Sequence, residues 1–141
     1  MTGEEIRAKK YLGELQYLDK FIQSNVRELE RLRLLSVSMG GSNFSERITG
    51  GIVESRLERQ VAEIIDLEDD IKKEIRKYTR LRAKVNKAIE LQEDENERLL
   101  LKLRYIEGMT WEEISEKMNL STRHVYRLHK IALNNFHFGK K

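Results

Sequence analysis

The stretch TWEEISEKMNLSTRHVYRLHKIAL, residues 110 to 133, decides how the end of this chain folds. Thr110 is a suitable N-cap, and Glu113, three residues later, completes a capping-box pattern. Ile114 and Met118 follow at a spacing of four, which is typical of the apolar side of a helix. The residues 119 to 121, Asn-Leu-Ser, interrupt this pattern. The stretch therefore predicts a short helix followed by a tight turn.

A second helix is predicted to begin at Ser121, which is a good N-cap residue. Its inward positions are apolar, and its outward positions are polar and mostly basic. The inward residues are Val125, Leu128 and Ala132, and the outward ones are Arg123, His124, Arg127 and Lys130. Two short helices with such a turn and a basic outer face form the helix-turn-helix pattern. An ordinary helical pair whose polar side is only solvated is the alternative.

The charges are sorted along the chain. From Asn119 to Lys141 there are five Lys and Arg residues and no Asp or Glu. Residues 96–141 hold nine basic and five acidic residues, a net charge of +4, whereas residues 1–95 hold eighteen and nineteen, a net charge of −1. The positive excess therefore lies with the predicted helix-turn-helix. This placement favours a polyanionic partner, because phosphate contacts supply much of the affinity for DNA.

The composition favours a helical protein of elongated shape. The chain of 141 residues is 36% charged and 7% aromatic and has no proline. It also has no cysteine, which excludes disulfides and thiolate metal sites and is compatible with a reducing cytoplasm. No apolar run approaches the roughly 20 residues of a membrane span, and the N-terminus MTGEEIRAKK lacks the apolar segment of a signal peptide. We therefore expect a cytoplasmic protein without a membrane partner.

A long first helix is predicted from about Glu4 to Leu35. Its apolar residues alternate at spacings of three and four, the heptad seam typical of coiled coils, at Leu15, Leu18, Ile22, Leu29 and Leu32. Asn25 occupies the remaining seam position. Either Asn25 is buried there, where it would specify the register, or Val26 takes the inward place and Asn25 lies at the edge. The spacing leaves both arrangements open.

A second long helix is predicted from about Ile52 to Glu93. Its seam residues are Leu57, Ile64, Leu67, Ile71, Tyr78, Leu81, Val85 and Ala88. Gln60 and Glu74 also fall on strict seam positions, so we expect the seam to drift toward the neighbouring Val61 and Ile75. The glycine-rich stretch between the two long helices, residues 40–51, favours a flexible connection, so the helices can fold back antiparallel.

A polar joint at residues 91–96 is predicted to precede a third helical segment, from Glu97 to Ile106, which Gly108 ends in a left-handed conformation. We expect Trp111 to pack between this segment and the last helix. The predicted fold is therefore all-α. A long antiparallel, coiled-coil-like hairpin in residues 1–93 would serve oligomerisation or partner binding. A small DNA-binding helix-turn-helix domain would follow in residues 94–141.

Between Leu103 and Leu133 the sequence resembles region 4, the C-terminal helix-turn-helix of sigma-70-type factors. The residues that carry this resemblance are Arg104-Tyr105, Gly108, Thr110, Glu113-Ile114, Ser121, Val125 and Ala132-Leu133. The whole chain is also similar to small phage and prophage proteins related to ArpU-type and RinA-type transcription regulators. Sigma factors carry acidic and basic residues where this chain has His124 and Tyr126, so base preference does not carry over. The chain has no counterpart of the promoter-melting region 2.

These observations predict a sequence-specific transcription regulator of phage or prophage origin that binds double-stranded DNA. Its recognition helix, residues 121–133, would lie in the major groove. The predicted contact residues are Ser121, Thr122, Arg123, His124, Tyr126, Arg127 and Lys130. The two arginines lie one turn apart and suit guanine, whereas Thr122 and Lys130 suit phosphates. Tyr126 is expected either to stack on a sugar or to pack internally.

The alternative is a protein-interaction module whose long helices bind RNA polymerase or another regulator, with DNA contact secondary. A purely structural coiled coil would leave the acid-free C-terminus unexplained. We expect a homodimer or higher oligomer, because a lone hairpin leaves part of each apolar stripe exposed to water. An enzyme is not expected, because no catalytic set, nucleotide-binding loop or cofactor site is recognisable. No metal site is expected either, because His129 and His137 lack acidic or cysteine partners at ligand spacing.

Overall fold

A computed structural model describes residues 2–40 and 50–138 of the chain. Five α-helices and one π-helical turn account for most of these residues. They are α1 (Gly3–Gly40), α2 (Gly50–Glu90), α3 (Glu95–Leu101), the π-turn (Lys102–Ile106), α4 (Trp111–Met118) and α5 (Thr122–Asn134). The described residues contain no strand, so the predicted all-α fold, two long helices followed by a helix-turn-helix, is confirmed.

The first long helix begins with a reciprocal cap and ends later than predicted. The hydroxyl of Thr2 accepts a hydrogen bond from the Glu5 amide at 3.1 Å, and the Thr2 amide donates to Glu5 Oε1 at 2.7 Å. The helix then continues to Gly40 rather than ending at Leu35. The predicted end was wrong because the residues after Leu35, Ser-Val-Ser-Met, cost at most about 0.7 kcal/mol each relative to alanine in a helix and do not block it. The central residues of the predicted glycine-rich connection, 41–49, lie outside the described residues.

The seam positions predicted for both long helices are buried or half-buried, which confirms the heptad spacing. The expected drift of the α2 seam is wrong. Gln60 and Glu74 keep the half-buried seam positions, whereas Val61 and Ile75 are 47% and 45% exposed. The regular spacing overrides the side-chain polarity because long polar side chains can cover the seam with their stems. Similarly, Asn25 is half-buried and Val26 is exposed.

The contacts divide the chain into two compact units. Unit 2 comprises residues 20–77 and contains the adjoining parts of α1 and α2. Leu29 and Ile71 are buried in it, and an ion pair joins Arg33 to Glu68. Unit 1 comprises residues 1–19 and 78–141. This grouping is based on contacts and differs from the expected division into two domains between residues 93 and 94. That division remains a prediction.

Unit 1 has a continuous apolar core to which five parts of the chain contribute. The start of α1 supplies Ala8, Leu12 and Leu15, and the end of α2 supplies Val85, Ala88 and Ile89. The remaining buried side chains come from α3, the π-turn and the helix-turn-helix: Leu100, Leu101, Leu103, Tyr105, Ile114, Val125, Ala132, Leu133 and Phe136. The helix-turn-helix therefore packs on the ends of both long helices.

The junction between α2 and α3 differs from the predicted polar joint. α2 ends at Glu90 rather than Glu93, because the amides of Leu91 and Gln92 bond to carbonyls three residues back, at 3.1 and 2.9 Å. Gln92 is then buried, and its side-chain amide donates to Glu97 Oε1 and to the Ala132 carbonyl, both at 2.9 Å. Asp94 caps α3, which begins two residues earlier than expected. Sequence alone gave no signal that Gln92 would join three helices.

Within residues 2–40 and 50–138, no helix has the length and apolar character needed to cross a membrane.

Candidate nucleic-acid interface

The first helix of the motif, α4, begins at a point that its own sequence specifies. The Thr110 hydroxyl accepts from the Glu113 amide at 3.1 Å, and the Thr110 amide donates to Glu113 Oε1 at 2.9 Å. The predicted capping box is therefore confirmed. Gly108 before it has a φ of 73°, as expected of a left-handed helix end. These local devices determine where α4 begins.

The turn between α4 and α5 depends on Asn119, whose φ of 57° and ψ of 43° are left-handed. Asparagine tolerates this conformation better than most residues with a side chain. The next amide, of Leu120, donates to the Ser115 carbonyl at 3.0 Å, and the Ser115 hydroxyl donates back to the Leu120 carbonyl. Ser121 then caps α5 as predicted, accepting from the His124 amide at 3.1 Å. The turn is therefore specified by side chains as well as by the backbone.

The inner face of α5 is buried against the rest of unit 1. Val125, Ala132 and Leu133 are buried and Leu128 is half-buried, so the expected inward positions are confirmed. His129 is also buried, although its residue type did not predict this. Burial of one complete face fixes the rotation of α5 about its axis and hence which side chains point to solvent.

His129 is held by Tyr105 of the π-turn. The Tyr105 hydroxyl and His129 Nε2 lie 2.6 Å apart, both in the protein interior. Burial lowers the pKa of His129 to about 4 and raises the pKa of Tyr105 to about 12. At neutral pH both groups are therefore uncharged, and a hydrogen bond joins the tyrosine hydroxyl and the imidazole nitrogen. This bond ties α5 to the segment that precedes the motif.

Trp111 packs where it was predicted, between the third helical segment and α5. Its ring lies 4.5 Å from the His129 ring and 5.3 Å from that of Tyr126, measured between centroids. The guanidinium of Arg104 also stacks on Trp111, 4.2 Å from the centroid of its ring. It donates a hydrogen bond to the Met109 carbonyl at 2.9 Å. Trp111 is half-buried and acts as a packing residue.

The predicted contact residues are all solvent-exposed. We call the following exposed side chains of the motif the basic face: Ser121, Thr122, Arg123, His124, Tyr126, Arg127 and Lys130. Tyr126 packs partly inward against Trp111 and remains 50% exposed, and its stacking on a sugar remains a prediction. Ile131, four residues after Arg127, is 44% exposed on the same side of α5 and was not among the predicted contact residues.

The chain after α5 is anchored by the start of α1. Tyr11 packs against Phe136 and Phe138 with ring centroids 6.0 and 5.4 Å apart, and the Arg7 guanidinium lies 4.4 Å from the Phe138 ring. Thr2 Oγ1 also donates to Asn134 Oδ1 at 2.9 Å. Phe136 and Phe138 thus anchor the end of the chain, and their partner is a segment more than 100 residues away in sequence.

His137 lies nearer to carboxylates than the sequence spacing suggested. It lines an open cavity of about 330 Å³ together with Glu93, Asp94, Glu97, Asn134 and Asn135. Glu97 already accepts hydrogen bonds from Gln92 and Asn135. In the part of the chain that the structure describes, no group of three His, Asp or Glu side chains is arranged to hold a metal ion.

Residues 94–135 match the family described as Sigma-70, region 4. The matched segment starts at the cap of α3 and ends just after α5, so it contains the entire motif. This segment is therefore a sigma-70 region 4-like helix-turn-helix, a class of DNA-binding regulatory domain. The remaining two thirds of the chain lie outside the match. The chain matched no curated protein and no solved structure.

Proposed function

We propose that this protein is a sequence-specific transcription regulator of phage or prophage origin that places α5 in the major groove of double-stranded DNA. The observation that supports it best is the basic face, because every side chain predicted to touch DNA is exposed while the opposite face of α5 is locked into the core. The region 4-like motif supports the DNA-binding class. The resemblance to phage regulators supports the origin.

The proposal assigns base contacts to the two arginines of the basic face. Arg123 and Arg127 lie one helical turn apart and carry planar donors that suit O6 and N7 of guanine. His124 would contact a base edge or a phosphate. Thr122, Lys130 and the backbone amides at the start of α5 would hold phosphates and set the register on the duplex. Ile131 would offer an apolar contact for a thymine methyl group.

The test combines target selection with a matched pair of variants. Genomic fragments bound by the parent chain should share one motif, enriched upstream of a phage operon. Arg127→Ala should then lose about 1–3 kcal/mol of binding energy on that motif and relax its sequence preference. Arg82→Ala is the control, because Arg82 is an exposed arginine on α2, outside the matched segment. Equal affinity of the parent and Arg127→Ala would refute the groove assignment.

The second candidate function is a protein-interaction module whose long helices bind RNA polymerase or another regulator. It is favoured by exposed apolar side chains in unit 2, among them Val61, Ile65 and Ile75. The dependence of binding affinity on salt concentration distinguishes the two candidate functions. Binding through phosphates should weaken steeply between 50 and 200 mM salt, by a factor of about 10³ or more if six phosphates are contacted. Binding through apolar helix faces should change little over that range. Pull-down of RNA polymerase by a variant without DNA affinity would favour the module.

Three further parts of the proposal follow from the same assignment. A regulator of this kind would act in the cytoplasm, where the bacterial DNA is. It would use no cofactor and carry out no reaction. It would act as a homodimer or higher oligomer, because helix-turn-helix proteins commonly bind paired half-sites about 34–36 Å apart.

A further inference from the structure

Unit 2 has an apolar surface on one side of its two helices. Among the described residues of unit 2, seven large aliphatic side chains are exposed. Leu34 at 71% and Leu35 at 47% directly follow Arg33, and the other five are Val26 at 36%, Val37 at 71%, Val61 at 47%, Ile65 at 51% and Ile75 at 45%. By contrast Ile89, which has the same offset from the α2 seam as Val61 and Ile75, is completely buried in unit 1. Positions that are equivalent in the sequence pattern of α2 are thus buried in unit 1 and exposed in unit 2.

The ion pair between Arg33 and Glu68 shows that these five residues share one side of unit 2. Val26 and Val37 lie seven residues before and four residues after Arg33. Val61 and Ile75 lie seven residues before and after Glu68, and Ile65 lies three before it. Residues spaced by three, four or seven lie on one face of a helix. All five therefore surround the ion pair, and we call this set the flank patch.

We infer that the flank patch is the surface by which two copies of this chain pair, forming a four-helix bundle from two copies of unit 2. This inference deepens the oligomeric part of the proposed function by naming the surface and the arrangement. Among the described residues of unit 2, only Leu29 and Ile71 are buried apolar residues. Two helices cannot enclose a core, whereas four can.

The flank patch is large enough to form the apolar centre of a dimer interface. It extends about 17 Å along α1 and about 21 Å along α2, given a rise of 1.5 Å per residue. Two packed helices are about 20 Å wide. The product of these dimensions is about 400 Å², half of the roughly 800 Å² that each partner contributes to a standard interface, so the side chains around the flank patch must supply the rest. Exposed apolar patches of this extent commonly mark interaction sites.

The charges within the flank patch favour a second copy and specify how it lies. Arg33 and Glu68 stand at the same height because they are paired. If the two-fold axis runs parallel to the helices, each α1 covers the partner's α2, and Arg33 faces the partner's Glu68. Val26 then faces the partner's Ile75, since these lie seven residues before Arg33 and seven after Glu68 along antiparallel helices. An axis across the helices at the height of the ion pair would place two arginines together, which is repulsive.

The test is the mass of the full chain in solution by light scattering at micromolar concentration. The parent should have twice the chain mass of 16.7 kDa. Val61→Lys/Ile65→Lys should have the single-chain mass, and so should Ile75→Lys. The control is Leu35→Lys, because Leu35 is 47% exposed and lies two residues after Arg33, on the opposite side of α1. It should remain a dimer. The helical circular dichroism signal identifies any variant that fails to fold. If Val61→Lys/Ile65→Lys fails to fold, the mass of Ile75→Lys decides whether the flank patch forms the dimer.

The charge arrangement has its own test. Arg33→Glu should give the single-chain mass, because it places like charges together within each copy and between copies. The exchange Arg33→Glu/Glu68→Arg should restore the dimer. A monomeric parent, a monomeric Leu35→Lys or a dimeric Val61→Lys/Ile65→Lys would overturn the inference. Failure of the proposed function gives a different result. A dimeric parent that binds no DNA would refute the proposed DNA binding and leave this inference intact. A monomeric parent that binds DNA would refute this inference and leave the DNA binding intact.

Discussion

The Tyr105 hydroxyl and His129 Nε2 lie 2.6 Å apart inside unit 1 and join the π-turn to the buried side of α5. A π-turn widens the helix by one residue, so that the Glu107 amide bonds to the Lys102 carbonyl, five residues back, at 3.0 Å. The direction of a side chain on such a turn differs from that on a regular helix. The pair therefore connects an irregular backbone element with the placement of the basic face.

Tyr105→Phe tests this connection. The variant keeps the ring but leaves a buried imidazole nitrogen without its hydrogen-bond partner, which should lower the free energy of unfolding by about 1–3 kcal/mol. The measurement is urea denaturation at pH 7. Tyr126→Phe is the control, because that residue is 50% exposed and loss of its hydroxyl should change stability by less than about 0.5 kcal/mol. Equal stabilities of the two variants would show that the buried bond contributes nothing.

The buried histidine predicts a loss of stability on mild acidification. The pKa of His129 is lowered from 6.5 to about 4 by burial, so below pH 6.5 the unfolded chain takes up a proton that the folded chain does not. Stability should therefore fall as the pH decreases from 6.5 toward 4, by about 2 kcal/mol between pH 6.5 and 5.

The same pH range separates this effect from carboxylates. The pKa of Glu90 is lowered by its hydrogen bond from Lys102, and its ordinary value of 4.5 lies below the range. His129→Gln should flatten the dependence between pH 6.5 and 5, whereas His124→Gln, at an exposed site, should keep it. An unchanged slope in His129→Gln would contradict the assignment. Urea denaturation at each pH gives both slopes.

The junction at Gln92 predicts strong sensitivity to a single charge. In Gln92→Glu the new carboxylate would lie beside that of Glu97, in place of an amide that donates to it at 2.9 Å, and the donor to the Ala132 carbonyl would also be lost. We expect a loss of about 3 kcal/mol or more, because a buried charge is then left unpaired. Leu91→Glu adds the same charge at a position that is 56% exposed and should cost less than about 0.5 kcal/mol. Thermal unfolding compares the two variants.

The left-handed turn residue predicts opposite behaviour of two small substitutions. Asn119→Ala should destabilise the fold by about 1 kcal/mol, because an alanine side chain is strained at a φ of 57°. Asn119→Gly relieves that strain and should equal the parent within about 0.5 kcal/mol. If both variants were equally destabilised, the side-chain amide rather than the backbone conformation would matter. The melting temperatures of the three proteins decide this.

Interactions between residues that are close in the sequence made much of this structure predictable from the sequence alone. The caps at Thr110 and Ser121, the left-handed Gly108 and the heptad seams depend on residues within one or two helical turns of each other. The inward and outward faces of α5 follow from a period of 3.6 residues. For these features a pattern in the sequence is the cause of the structure, so the pattern predicted them.

Tertiary packing decided the rest, because it depends on which distant surfaces meet. The long helices contribute their ends to the core beneath the motif, and Gln92, Tyr105 and His129 acquired their partners only through that packing. Ile89 and Val61 have equivalent positions in the α2 pattern, yet one is buried and the other is exposed. Amphipathic periodicity specifies that a side chain lies on an apolar stripe, and only the folded chain determines what covers it.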